Sequence, residues 1–179
     1  MKKILPFLLM AFVGLFAYSC DNNDDVTPVN TVDYDTYSVA YDITPSFTRV
    51  SDNLYRYTDD FNSPLVESDV VLIYMQNGTD GGSPVWKLLP YTYYVGNANN
   101  DAVDYLFDFS KFAITININS TPTLSLTANP TYYQGKKFRV VVVPAKTGTS
   151  KNAAAAVDYA DYNSVIKYYH IDESKIKTK

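Results

Sequence analysis

Two short runs constrain this chain more than anything else in it: residues 69–76, DVVLIYMQ, and residues 137–144, KFRVVVVP. Each is apolar at nearly every position and dense in β-branched side chains. Both are too short for a buried helix, which needs about 10–12 residues. Branched side chains suit a pleated surface, so both runs read as strands. A strand that is apolar on both faces has to be covered on both, or lie at the centre of a sheet, because either face would otherwise meet water. We therefore expect the two runs to pair beside each other at the middle of one sheet. Pro144, which has no N–H to donate to a ladder, ends the second.

Elsewhere the period is two. Tyr37, Val39, Tyr41 and Ile43 alternate with Ser38, Ala40 and Asp42, which predicts a strand with the first set buried and the second in water. Residues 53–61 set Tyr55, Tyr57 and Phe61 against Arg56 and Thr58. Val103, Tyr105, Phe107 and Phe109 alternate with Asp104 and Asp108, and Phe112, Ile114, Ile116 and Ile118 with Thr115, Asn117 and Asn119. Asn77-Gly78, extended by Asp80-Gly81-Gly82, predicts a reversal ahead of a strand over residues 85–94, making a hairpin. Pro90 marks that second strand as bulged, bent or at an edge. Residues 97–101 and 146–152 read as polar loops, and residues 121–135, with Pro122 and Pro130 around Leu124 and Leu126, as a loop carrying one short strand. Tyr162, Val165, Ile166 and Tyr169 then recur at helical spacing behind Asp161, a suitable N-cap. The expectation is a mainly β domain, an antiparallel β-sandwich of Greek-key-like arrangement with about seven or eight strands and one short C-terminal helix. A flattened barrel is the alternative. No internal repeat is visible, which disfavours solenoids and propellers.

The first residues carry an address. Lys2 and Lys3 precede an apolar run over residues 4–16, and small Ala17 and Ser19 flank Tyr18 just before Cys20. That order is the order of an export signal. The run falls short of the about 20 apolar residues that span a bilayer, and Pro6 interrupts it, so residues 1–19 read as a cleaved signal peptide. Ala17-Tyr18-Ser19-Cys20 resembles a bacterial lipobox, with alanine where leucine is common. The resemblance implies that the Cys20 thiol takes a diacylglycerol and becomes the acylated N-terminus, the only group of cofactor type expected. Buried acyl chains contribute about 0.8 kcal/mol per methylene, enough for a multiply acylated end to hold the membrane without a spanning helix. Behind it, Asp21, Asn22, Asn23, Asp24 and Asp25 resemble the surface-export signal of lipoproteins from Bacteroidota-type bacteria. This implies an outer-membrane location facing the cell exterior, with Asp21, Asp24 and Asp25 as its charges. Such a polar run also serves as a solvated spacer. Residues 20–31 are then a lipidated acidic tether, 32–171 the β domain and 172–179 a C-terminal tail. Trp86-Lys87-Leu88-Leu89-Pro90, residues 105–109 and residues 138–144 are similar to a β-sandwich-like domain of small surface lipoproteins of those bacteria, a domain without an assigned activity. The similarity spans residues 69–171. It implies a β fold and a surface location, and supplies no catalytic residue.

The chemistry in the sequence is sparse. Loss of residues 1–19 removes Lys2 and Lys3, so the 15 basic side chains become 13 against 19 acidic ones, a net charge of −6. Nucleic acid is therefore not an expected partner. The single cysteine is committed to lipid, which leaves no disulfide. Zinc sites draw on Cys and His, and the one histidine, His170, stands beside the helix end in a structural setting. No phosphate-cradling glycine loop follows a strand. Asp59, Asp60, Asp104 and Asp108 are the carboxylates available for glycoside hydrolysis, but Asp104 and Asp108 take solvent-facing strand positions. Asp101 and its Asn neighbours match no calcium-loop spacing. We assign no catalytic residue and no metal site. Aromatic rings are abundant, with 17 Tyr and 9 Phe. Trp86, Tyr91, Tyr93 and Tyr94 form the candidate ligand-binding set, since a ring with a polar tip suits a sugar or a protein surface. In a regular strand Trp86 and Leu88 share the core side, and Tyr91 and Tyr93 share the other. The competing reading is that these rings only pack. Three functions follow in order: a surface-displayed binding or adhesion module for a glycan or an envelope or host protein; a structural or accessory envelope lipoprotein without a soluble ligand; and a glycoside-acting enzyme.

The anchor is testable directly. In cells fed radiolabelled fatty acid the chain should take up label, and Cys20→Ala should abolish the labelling and leave the precursor mass. Alanine at Asp21, Asp24 and Asp25 should keep the label but remove susceptibility to protease added to whole cells. An unlabelled parent chain, or unchanged protease access in the triple variant, would contradict these assignments.

Overall fold

A computed structural model describes residues 38–144 and 157–179. The export segment, Cys20, the acidic run with Asp21, Asp24 and Asp25, Tyr37 and the 146–152 loop lie outside the described residues. Within them run ten strands: β1 Val39–Ile43, β2 Thr48–Ser51, β3 Leu54–Asp60, β4 Val70–Asp80, β5 Ser83–Leu88, β6 Tyr91–Tyr94, β7 Ala102–Phe109, β8 Ala113–Ser120, β9 Phe138–Val143 and β10 Lys177–Thr178. One α-helix, α1, covers Tyr162–Tyr168, and 3-10 turns occupy Pro130–Tyr132 and Glu173–Lys175. The strands form two five-stranded sheets, ordered β10-β1-β9-β4-β5 and β2-β3-β8-β7-β6. Every pair is antiparallel except β1 with β10. The fold is mainly β with one helix, as expected, but the strands number ten rather than seven or eight. The surplus comes from segments too short to show a period: the four-residue β2, the two-residue β10, and β6, which separates from β5 at Pro90.

The two apolar runs are β4 and β9, and they pair in register Ile73↔Val140. Their alternation has two destinations. Val71, Ile73 and Met75, with Phe138, Val140 and Val142, enter a core that also takes Ile43 from β1 and Tyr55, Val103, Tyr105, Ile114, Ile116 and Ile118 from the second sheet. Leu72, Tyr74, Val141 and Val143 turn to the opposite face and are covered, with Trp86, by Tyr162 and Val165 of α1. The first sheet is thus buried on both faces, and this corrects one expectation. Ala40 and Asp42 do not face water. Ala40 packs into the helix-covered layer, and Asp42 accepts two hydrogen bonds from Arg139, at 2.7 and 3.0 Å. The second sheet keeps a wet outer face, where Arg56 donates to Asn117 and Thr58 meets Thr115.

Chain reversals also depart from the reading. β4 continues through Asn77-Gly78, and the ladder shifts register there, between Gln76 and Thr79. Gly78, at φ 102°, takes a conformation that a side chain would resist. The reversal itself is at Gly81-Gly82, with φ of 55° and 87° and Asp80 opposite Ser83, since consecutive positive φ values match the twist of a tight hairpin. Residues 85–94 are not one strand: the chain leaves the first sheet after Leu88, passes the cis Leu89-Pro90 peptide and joins the second sheet at Tyr91. Residues 121–135 hold no strand. Leu124 and Leu126 reach the core from a loop held by Asn53, whose Nδ2 donates to the carbonyls of Thr121 and Leu124. Residues 172–179, read as a tail, form the Glu173–Lys175 turn and β10, and Lys179 Nζ donates to Asp59 at 2.6 Å. α1 begins where expected, with Asp161 accepting from the Asn163 N–H.

The loop before β7 is tied by Asp101, which is 2% exposed. Thr121 Oγ1 donates to it at 2.6 Å, Thr123 Oγ1 donates to the same oxygen, and Asn97 Nδ2 donates to the other at 2.7 Å. These donors, Thr121 foremost, hold the carboxyl down at about 2 from its ordinary 3.8. The folded state therefore binds this proton less readily than the unfolded chain. The stabilisation is complete above about pH 4 and is lost as pH falls towards 2. Asp101→Asn should melt below the parent at neutral pH, with the gap closing between about pH 4 and pH 2. A gap that stays constant through that window in melting curves would contradict this role.

Ile73 is fully buried and Val142 is 7% exposed. Ile73→Ala should cost about 2–5 kcal/mol in denaturant titrations, the range for a cavity in a packed core. Val142→Asp should abolish cooperative melting, since an unpaired charge cannot be accommodated there. A parent-like melt for either variant would show that β4 and β9 are not the central strands of the core.

Candidate functional site

Tyr91 and Tyr93 are brought to the inner side of the second sheet by their register with β7, Tyr91 opposite Tyr105 and Tyr93 opposite Val103. Side chains directly opposite share a face. Trp86 and Leu88 pack in the helix-covered layer while Leu89 and Tyr91 pack on the core between the sheets, so the alternation counted onward from Trp86 holds although the chain changes sheet at Pro90. Tyr91 is half-buried, its ring stacked on that of Tyr105 with centroids 6.3 Å apart and planes 23° from parallel. Tyr93 remains 42% exposed and stands 6.0 Å from the Tyr132 ring. Thr92 and Tyr94 point the other way. Thr92 Oγ1 donates to Asp104 at 2.6 Å, and Tyr94 is 76% exposed.

Four tyrosines, 91, 93, 105 and 132, line one cleft of about 280 Å³ together with Met75, Asn77, Thr131 and Lys136. Each wall has its own origin. Met75 is the last inward residue of β4 before the register shift, and Asn77 lies within that shift. Tyr132 ends the 3-10 turn that Pro130 opens, and its carbonyl accepts from Tyr105 Oη at 2.9 Å. Burial, then the neighbouring phenols of Tyr132, Tyr91 and Tyr93, push the Tyr105 hydroxyl well above its ordinary range, so it remains a neutral donor. Lys136 follows Gly135, which at φ 67° adopts the left-handed turn that leads the chain back towards β9. Lys136 is half-buried, and loss of hydration lowers the pKa of its ammonium. The arrangement offers ring faces, phenolic hydroxyls, an amide and one cation. None of the lining residues is a carboxylate or a histidine.

Of the four aromatic candidates, then, Tyr91 and Tyr93 meet in the cleft, Tyr94 lies on the outer face of the same strand, and Trp86 belongs to another layer. Trp86 is 9% exposed beneath α1, 5.8 Å from the Tyr162 ring, with the Arg139 guanidinium 4.4 Å above its own. The carboxylates do not converge. Asp59 is buried on the inner side of β3 with Lys179 and Tyr41 as partners, Asp60 is exposed, and Asp104 and Asp108 lie on the outer side of β7. His170 is exposed just past α1, at φ 53°. Among the described residues no three His, Cys, Asp or Glu side chains gather as metal ligands, and no helix is long and apolar enough to cross a membrane. At Asp101 hydroxyl and amide donors occupy both carboxylate oxygens.

Tyr105, Tyr132, Thr131, Lys136, Met75 and Asn77 escaped the sequence reading. Tyr105 and Met75 carry a core pattern, and Thr131, Tyr132 and Lys136 belong to a segment without a period. Only the sheet-to-sheet crossing brings them together. Compared with family models, curated proteins and solved structures, the chain finds no match.

Proposed function

We propose that this protein is a lipid-anchored binding module of the outer membrane, displayed to the exterior, which holds a sugar unit of a glycan in the tyrosine cleft. The observation that carries this reading is the convergence of Tyr91, Tyr93, Tyr105 and Tyr132 on one cleft. Aromatic rings bury the C–H face of a sugar while phenol tips and an amide answer its hydroxyls. Size argues for a small unit over a protein partner: about 280 Å³ is at the low end for ligand pockets, near 300–1,000 Å³. A stable protein interface needs roughly 800 Å² from each partner. The lining, free of carboxylates and histidine, favours retention of the sugar over its hydrolysis. Cys20, behind its export signal, supplies the anchor, and the acidic run after it supplies the outward address. The core shared by the two sheets supports a Greek-key-like antiparallel β-sandwich as the scaffold.

The full-length chain, held in a neutral polyoxyethylene detergent that carries no sugar, should be retained on a glycan array. Tyr93→Ala should then weaken binding roughly thirtyfold, the loss of about 2 kcal/mol expected of an aromatic hot spot. Because Tyr93 is 42% exposed, its melting temperature should hardly move. Tyr94→Ala, on the opposite face, should bind as the parent does. An array without retained glycan, or a Tyr93→Ala chain of undiminished affinity, would overturn the reading.

A further inference from the structure

The cleft contains a charge that nothing in it answers. The other cations that reach into the packed layers are matched: Arg139 with Asp42 at 2.7 Å, and Lys179 with Asp59 at 2.6 Å. Lys136 is half-buried, yet among the described residues it makes no ion pair and no hydrogen bond, and it covers no ring face as Lys111 covers Phe112. Loss of hydration alone displaces its pKa, and displaces it downwards. A half-buried ammonium without a partner is unfavourable in the empty domain, and an anion placed beside it would relieve that cost. A neutral sugar needs rings and hydroxyls but no cation.

We propose that the sugar bound in the cleft is anionic, with its ring against Tyr91 and Tyr93 and a carboxylate or sulfate substituent against the Lys136 ammonium. This rests on the glycan reading above and narrows it to acidic glycans. The net charge of the mature chain does not oppose it at close range. At physiological ionic strength charges more than about 8 Å apart are largely screened, so the one cation in the cleft governs the contact. The cleft also excludes a competing anion of its own, since its walls hold no Asp or Glu.

The test compares each acid with its uncharged twin. The full chain, in the same sugar-free detergent, is titrated with the methyl glycosides of glucuronic, galacturonic and N-acetylneuraminic acid, each against its methyl ester. Galactose 6-sulfate is titrated against galactose, and binding is followed by ligand-observed NMR. At least one acid should bind roughly tenfold more tightly than its neutral twin, as a charge-assisted hydrogen bond implies. Which pair shows the preference distinguishes carboxylated from sulfated sugars. Lys136→Met should bring the ratio of acid to neutral affinity close to one and Lys136→Arg should preserve it, with neither variant melting below the parent. Equal affinity for acids and twins, or a preference that survives Lys136→Met, would overturn the anionic assignment while leaving the tyrosine cleft as a glycan site. Array and titrations without any bound sugar would overturn both.

Discussion

A sheet that is apolar on both faces cannot be left with one of them in water, and the rest of this domain is arranged to meet that demand. One face of β1, β9 and β4 is met by the second sheet. The other needs a lid, and the lid is α1, a helix of only seven residues, far below the length at which an isolated helix is stable. Its position depends on packing and on Arg139. That guanidinium donates to both oxygens of Asp42 and to the Tyr162 hydroxyl, lies over the Trp86 ring and comes within 3.8 Å of Glu173. One side chain thus joins β1, β5, β9, α1 and the turn that follows the helix. Burying such a pair is costly and the net gain is small, but removal of either partner would strand the other, a loss of about 3–5 kcal/mol in comparable cases. Asp42 and Arg139 are also register partners. A slip of β1 by one residue would turn Asp42 into the apolar core and away from Arg139, so the pair fixes the register of β1 as well as the seat of the helix.

The cleft is a by-product of how the two sheets are connected. The chain leaves the edge of one sheet at Leu88 and resumes at the edge of the other at Tyr91. β6 is therefore an edge strand four residues long, a length that gives little template for pairing with another chain. Its inward rings extend beyond the sealed core. Tyr105, one strand further in, is 2% exposed; Tyr93, at the rim, is 42% exposed. A single tyrosine-rich face passes from core to cleft wall without a change of residue type, because a phenol can pack by its ring and still offer a hydroxyl.

That continuity explains both the reach and the failure of sequence reasoning. The two continuous runs told of a doubly covered sheet, the period-two segments gave β3, β7 and β8, and Asp161 with the spacing of Tyr162, Val165 and Ile166 gave the helix. These are local patterns enforced by burial. Asn77-Gly78 misled because the dipeptide that favours positive φ in a turn favours it equally in a ladder irregularity, and the choice between them rests on the pairing of β5. The sides assigned to Trp86, Tyr91 and Tyr93 hold, but the single strand over residues 85–94 fails at Pro90, where the chain passes from one sheet to the other. Asp42 looked solvent-facing because its cover, α1, lies some 120 residues away in the chain. Lys136 had no signal at all: an isolated lysine after a glycine is ordinary, and only its surroundings in three dimensions distinguish it.

Pre-organisation decides whether such a cleft can repay the ordering of a ligand. Rotamers frozen on binding cost about 0.5–1.5 kcal/mol per flexible side chain, so a wall already fixed by the fold binds with less loss. Two walls here are fixed, and so is the loop that follows β6. Tyr105 is buried and its hydroxyl is committed to the Tyr132 carbonyl; Tyr91 is stacked on Tyr105; and the segment joining β6 to β7 is tied by Asp101 to Thr121, Thr123 and Asn97. The groups that remain free to adjust are Tyr93 at the rim and the Lys136 ammonium. A tyrosine has two side-chain torsions, so ordering Tyr93 costs little for the ring area it contributes. Lysine has four, and an entropy of about 2 kcal/mol that a neutral ligand would not recover. Under the proposed acidic-sugar reading, a charge-assisted contact would repay the ordering of that chain, and the flexible member of the cleft would also be the one that discriminates.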